Sequence, residues 1–174
     1  MITGKTLNAI RMKFCVPKEA FRPFWIRCGA LLFLGVIGSG SLKGQTPVIT
    51  VLQNINFGPF AVTGQSGGTV TVTNNGARSS TGDIFLVAGQ YNYTIFNVEA
   101  SAGTYLDISI ASPVTLAGSN GGQITMEPGQ ADPPFPYTTS ATVTEFHLGG
   151  TLTVGTDSPS GSYSGTYDII INYQ

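Results

Sequence analysis

The sequence predicts an all-β chain, a sandwich or barrel of short antiparallel strands, on three observations. No long segment places apolar residues at the three-four spacing of a helix. β-Branched and aromatic runs recur instead between Gly-, Asn- and Ser-rich turns, at the spacing of successive strands. The last stretch alternates, with Gly161, Tyr163, Gly165, Tyr167, Ile169, Ile171 and Tyr173 at one parity and Ser162, Ser164, Thr166, Asp168, Ile170 and Asn172 between them. Period-two alternation is the pattern of a strand with one buried and one wet face.

Residues 1–44 stand apart from the rest. They hold Lys5, Arg11, Lys13, Lys18, Arg22, Arg27 and Lys43, leaving only Arg78 among the basic residues that follow. An apolar run from Gly29 to Ile37 leads into the small residues Gly38, Ser39, Gly40 and Ser41. A basic leader, a short apolar run and a small-residue exit predict a secretory signal peptide over residues 1–44. The run is far short of the ~20 residues that a spanning helix needs. Cleavage is expected after Gly44, leaving Gln45 first, with Gly40 as the alternative and either Met1 or Met12 as the start. The protein is therefore expected to be exported, to a periplasm, a cell surface or the medium.

Residues 45–174 form one expected β-sandwich domain. It carries eight acids against Arg78, a net charge of −7, where the whole chain carries −1. That balance repels nucleic acid and anionic lipid. Both cysteines, Cys15 and Cys28, fall in the leader. The domain has no disulfide to brace it and relies on an apolar core, for which its length suffices.

Strands are expected in order over Val48–Phe57, Thr69–Thr73, Ile84–Val87, Tyr93–Val98, Tyr105–Ile110, Ile124–Met126, Ala141–Phe146, Thr151–Val154 and Tyr163–Tyr173. In the first, Ile49, Val51, Ile55 and Phe57 alternate, interrupted by Gln53. Asn74-Asn75-Gly76 and Asn120-Gly121-Gly122 supply residues that tolerate the positive φ of tight turns. Gly149-Gly150 reads as a bulge or sharp bend between two strands. Pro128, Pro133, Pro134 and Pro136 predict a loop over Glu127–Tyr137, from which Phe135 and Tyr137 could cap the core.

Chemistry-bearing groups are sparse. The chain has one histidine, His147, beside the Gly149-Gly150 pair, and no nucleophile and orienting acid are marked out for it, so a structural role is expected. The acids are dispersed, with no cluster of metal-ligand spacing. Asn74–Asp83 offers oxygen ligands, as any polar loop does. Gln65-Ser66-Gly67-Gly68 lacks the lysine and helix of a phosphate cradle. No catalytic residue, metal or small-molecule cofactor is expected. Arg78 reads first as a surface ion pair with an acid such as Asp83, worth little, and second as an anchor for its loop.

Five fragments carry a family resemblance. They are Phe57-Gly58, Gly68-Thr-Val-Thr-Val72, Asn75-Gly-Ala-Arg78, Gly149-Gly-Thr-Leu-Thr-Val154 and Gly161-Ser-Tyr-Ser-Gly-Thr-Tyr167 with Asn172-Tyr173. Together they resemble the domain-of-unknown-function 4402 family, secreted bacterial proteins similar to Mat/Ecp fimbrial major subunits and spore-coat-protein-U-type pilins. The resemblance implies an immunoglobulin-like sandwich, a fimbrial or surface role and no enzyme activity. It also implies an assembly strand, since such pilins carry a glycine fourteen positions from the end and a penultimate aromatic, positions held here by Gly161 and Tyr173. On that pattern the assembly strand presents Gly161, Tyr163, Tyr167, Ile169, Ile171 and Tyr173. A chaperone or a neighbouring subunit completes the fold with a strand of its own. The chain departs from such pilins in lacking their disulfide. Only about a dozen residues separate Gln45 from Phe57, so Ile49, Val51, Ile55 and Phe57 are either a donor strand or the domain's own first strand.

The functional expectation is a fimbrillin-like structural or adhesive subunit. Its partners would be further copies in a homo-polymer or a periplasmic chaperone, with no nucleic acid. The alternative is a self-complete sandwich that binds a glycan or protein through loop aromatics such as Phe135 and Tyr137.

Overall fold

The computed structural model describes residues 46–174 together with two strands nearer the N-terminus. Those are β1 (Ile2–Gly4) and β2 (Ile10–Phe14). The domain then runs through β3 (Val48–Gln53), β4 (Pro59–Val62), β5 (Gly68–Val72), β6 (Arg78–Gly82), β7 (Ile84–Leu86) and β8 (Thr94–Glu99). It continues with β9 (Tyr105–Ile110), β10 (Val114–Gly118), β11 (Gln123–Asp132), β12 (Tyr137–Thr138), β13 (Val143–Val154), β14 (Ser162–Ser164) and β15 (Tyr167–Tyr173). The apolar run from Gly29 to Ile37 and the expected cleavage sites lie outside the described residues.

The expected all-β fold holds, as an immunoglobulin-like sandwich whose domain strands pair antiparallel. The larger sheet has the order β3-β8-β13-β11-β10-β14-β1-β4-β7, with β5 and β6 branching from β13, and the smaller has the order β12-β9-β15-β2. One continuous core lies between them, with Phe60, Val70, Val72, Phe96, Val98, Leu106, Phe146, Tyr163 and Ile169 all at 0% exposure. Phe146 is at its centre. It stacks on Phe96 at 5.4 Å between centroids, and Phe135 at 5.0 Å and Tyr137 at 5.6 Å close over it. Offset and edge arrangements of this kind add to the area the rings bury.

Two expected strands, Ala141–Phe146 and Thr151–Val154, are one strand, the twelve-residue β13. Its first half pairs with β8 through Leu148, and its second half pairs with β5 from Gly150 onward. The glycine pair is therefore the point at which one strand changes partners. A Cβ on Gly149 would stand 2.4 Å from the Val72 carbonyl oxygen and 2.8 Å from the Asn74 amide nitrogen. The bulge lies across the ladder on β11, where Gly129 and Gln130 fall between the pairs Pro128↔Gly150 and Ala131↔Leu148. β11 thus runs on into the stretch expected as loop. Pro128 is tolerated because β10 stops pairing at Val114↔Met126, which leaves β11 an edge on that side.

The last expected strand is two. β14 belongs to the larger sheet and β15 to the smaller, and the chain changes layers at Gly165-Thr166. A Cβ on Gly165 would meet the Thr115 carbonyl oxygen at 2.6 Å, so a side chain there would block the crossing. The alternation persists across the break because Tyr163 and Tyr167 both face the shared core.

Gly149→Ala should lower stability by about 1–3 kcal/mol through overpacking against backbone that has no room to move, a fall of several degrees in Tm. Gly155→Ala, whose Cβ would approach only Ser158 Oγ at 3.9 Å, should leave Tm nearly unchanged. Thermal denaturation of the two variants side by side checks both.

Candidate assembly site at the β15 edge

β15 is built as the alternation requires. Tyr167, Ile169 and Ile171 are buried, Asp168 and Ile170 are half-buried, and Asn172 is exposed. One edge of the strand pairs antiparallel with β9, setting Ile169 opposite Ile110, Ile171 opposite Ile108 and Tyr173 opposite Leu106. Apolar pairs directly across a ladder are the unit that holds such strands together. Tyr167 also ties the layers: its hydroxyl lies 3.0 Å from Thr94 Oγ1 on β8, a buried hydrogen bond between the two sheets. Burial raises the Tyr167 phenol above its ordinary pKa, with the Thr94 hydrogen bond opposing the shift.

The other edge of β15 is covered from outside residues 46–174. β2 pairs with it in parallel over five positions, from Tyr167↔Ile10 to Ile171↔Phe14. A second gap is filled by the same N-terminal segment. β1 pairs in parallel with β14 (Thr3↔Ser162, Gly4↔Tyr163) and antiparallel with β4 (Ile2↔Phe60, Thr3↔Pro59). Among the described residues no ladder joins β14 directly to β4. Within residues 46–174, β14, β15 and β4 are therefore edges that receive strands from elsewhere in the chain.

The expected assembly residues divide accordingly. Tyr167, Ile169, Ile171 and Tyr173 line the β15 edge, whereas Tyr163 is on β14 and Gly161 just precedes it. Tyr163 is fully buried and donates its hydroxyl to the Pro159 carbonyl at 2.6 Å; burial raises its pKa. Of the possible N-terminal strand, Ile49 and Val51 lie on β3, which pairs antiparallel with β8. Ile55 and Phe57 follow in the core, flanking the isolated bridge between Asn56 and Asn92. In this arrangement β3 is the domain's own first strand.

Arg78 is an anchor, and the expected ion pair with Asp83 does not form. Asp83 instead accepts the Ser66 amide at 2.9 Å. The guanidinium donates from Nη1 to the Val87 carbonyl at 3.1 Å and from Nη2 to the Pro59 carbonyl at 2.8 Å, and it lies 5.3 Å from the centre of the Tyr91 ring. Desolvation lowers its pKa, and Tyr91 opposes that. These bonds run from β6 to the ends of the β4–β7 pair, which holds the pair beside the β14 gap. A planar group with several fixed donors suits two carbonyls at once.

The remaining candidates make contacts within the sandwich. His147 Nε2 lies 2.8 Å from Glu145 Oε1, and its ring packs 5.0 Å from Tyr93. No group of three or more metal-ligating side chains occurs among the described residues. Phe135 and Tyr137 turn onto Phe146 and cover the core. A cavity of about 350 Å³ beside them is lined mainly by Ile108, Ile110, Pro128, Ala131, Phe135 and Leu148.

β1 and β2 were not expected as strands. For β2 a signal existed: Ile10, Met12 and Phe14 alternate with Arg11 and Lys13. The basic residues drew the segment into the leader pattern instead.

A family profile, "Domain of unknown function (DUF4402)", matches residues 48–173. No curated protein matches the chain, and no solved structure does.

Tyr167→Phe should cost about 1 kcal/mol at neutral pH by stranding the Thr94 hydroxyl in the core. The raised phenol holds its proton more tightly in the folded chain. Its contribution is intact below about pH 10 and is lost as the pH rises past that value and the unfolded chain ionises first. Urea denaturation at pH 7 and above pH 10 should show a smaller alkaline loss in the Phe variant. Arg78→Lys should cost about 1.5–3 kcal/mol, since one ammonium does not reproduce both charge-assisted bonds. Urea midpoints of that variant measure it.

Proposed function

The chain belongs to the DUF4402 family, and from that premise we propose that it is an exported structural subunit of a bacterial surface assembly, joined to its partner by strand complementation at the β15 edge. The observation that carries this reading is the five-position ladder between Tyr167–Ile171 and a strand lying outside the family-matched residues. An edge that takes up a strand from beyond its own domain is an acceptor in the sense of β-augmentation: main-chain hydrogen bonds supply affinity and alternate side chains supply selectivity. The similarity to fimbrial subunits and pilins carried by Gly161–Tyr167 and Tyr173 supports the same reading.

Residues 45–174 are the functional unit in this reading, with residues 1–44 removed on export. The partner is another copy or a periplasmic chaperone. Copies joined through unlike surfaces, an acceptor edge on one and a donor segment on the next, make a head-to-tail interface that does not close, which is the geometry of a filament.

A chain beginning at Gln45 should be unstable alone or run as a ladder of oligomers in gels and size-exclusion chromatography. A cooperative monomer with every strand satisfied would sink the reading. Tyr173→Ala should weaken the ladder, because the half-buried ring packs against the core at the end of the acceptor edge. Unchanged assembly by that variant would count against the role of β15.

A further inference from the structure

The smaller sheet has a second open edge, on the side of β9 away from β15. The Tyr105 and Gln174 backbones bond each other at 3.1 Å, and the Ala111 amide donates to the Asp168 carbonyl at 3.2 Å. These bonds set the parity of β9, whose odd-numbered residues bond β15. Leu106, Ile108 and Ile110 therefore direct their N–H and C=O groups to the opposite edge. β12 takes up Leu106, opposite Tyr137, and stops there. Among the described residues no ladder reaches Ile108 or Ile110 on that side. We propose that this stretch is a docking site for an extended segment of another protein, which adds antiparallel to β9 and carries the pattern basic-x-apolar-x-apolar. The site is independent of the reading of β15.

The edge is open for a reason that the sequence supplies. Continuing the β12 register would set Phe135 opposite Ile108 and Pro133 opposite Ile110. Proline has no N–H to give the Ile110 carbonyl, and Phe135 turns away to pack 5.0 Å from Phe146. The chain leaves the edge there, beside a cavity of about 350 Å³ with Ile108, Ile110, Ala131, Phe135 and Leu148 in its wall. The free N–H and C=O groups of Ile108 and Ile110 are spaced as another strand would match them. In an antiparallel ladder the residues that bond Ile108 and Ile110 share their face of the sheet. Those two residues are apolar in the pattern because that face is the wall of the cavity. A small apolar ligand would fill the cavity and leave the backbone groups unpaired, so the chemistry of the edge selects a polypeptide.

Charge decides the third residue of the pattern. In an antiparallel strand the position two before the first apolar residue lies toward Ser112. There Ser112, which lines the cavity, donates its hydroxyl to Glu127 Oε2 at 2.9 Å and holds a carboxylate beside the opening. A lysine or arginine at that position meets an opposite charge, and an aspartate or glutamate meets a like one. Residues 45–174 carry a net −7, and their one basic side chain, Arg78, is engaged by the Val87 and Pro59 carbonyls. A second copy of those residues has no free cation to offer, which makes the occupant a different protein. The length of the segment is bounded as well, by β12 at Leu106 and by the end of β9 at Ile110.

The test uses the full chain and the acetylated, amidated peptide Lys-Thr-Val-Thr-Val, followed by residue-resolved amide exchange and by chemical-shift titration. Saturating peptide should slow exchange of the Ile108 and Ile110 amides about tenfold. It should leave Asp107 and Ser109, whose amides already face β15, unchanged. Methylating both valine nitrogens should abolish binding, because the added strand then has no N–H to give. Replacing the lysine by glutamate should weaken binding about two- to five-fold, the scale of one exposed charge pair, and Glu127→Gln should erase that difference. Glu127 is exposed, so this variant keeps the fold. If Ile108 and Ile110 gain no protection, or if the methylated peptide binds as well as its parent, the inference is overturned. If the lysine and glutamate peptides bind alike, or their difference survives Glu127→Gln, the basic position is wrong and the assignment of the partner falls with it.

Discussion

β13 carries three ladders, and the rest of the sandwich is placed by it. Along one edge it pairs first with β8 and then with β5, and along the other with β11. The change of partner requires backbone to pass close to backbone at Gly149, where the nearest atoms belong to Val72, Thr73 and Asn74. Phe146, three residues earlier on the same strand, gathers Phe96, Phe135 and Tyr137 around it. Without a disulfide, this strand supplies the cross-connection that a covalent bridge would otherwise give. β8 hangs from it, and the Thr94–Tyr167 hydrogen bond then fixes where β15 lies in the opposite layer.

Strand type was legible in the sequence wherever a run was β-branched, aromatic and bounded by turn residues. Boundaries were less so, and each failure has a local cause. Gly149-Gly150 reads as an interruption because glycine carries no side chain to continue the alternation, although a close backbone approach leaves the same mark. Gly165 hides a change of layer for the same reason. β6, Arg-Ser-Ser-Thr-Gly, has no apolar residue to announce it and forms through its pairing with β5, helped by the Thr69–Thr81 hydroxyl contact at 2.7 Å. β4 is a four-residue strand that opens on Pro59, and its place depends on Arg78, a contact between distant parts of the chain that no spacing rule reveals.

The candidate site was half legible. Alternation marked Tyr167, Ile169, Ile171 and Tyr173 as one face of a strand, and they are that. It also joined Tyr163 to them, because parity survives a break of two residues when both halves face the same core. The partner was hidden for a different reason. Basic residues near an apolar run fit an export leader, and the same residues alternate with apolar ones in a way that suits a strand. One stretch of sequence satisfies both patterns, and only the register with β15 brings the second into view.

The edges of the two sheets differ in how they are guarded, and that difference singles out β15. Exposed edges are commonly blunted by brevity, by bulges, by proline or by charge, lysine above all. β7 has three residues and β12 two. β3 breaks register between Val51 and Gln53, and β6 ends at Gly82. β15 has seven residues, no proline and no register shift against β9, and residues 45–174 contain no lysine to place beside it. Its outward row, Asp168, Ile170 and Asn172, offers a single charge. A long, regular and lightly charged edge is a hazard if it is left open, because any compatible strand can add to it. The hazard is met here by pairing, since β2 lies along β15 from Tyr167 to Ile171 and leaves those positions no open edge.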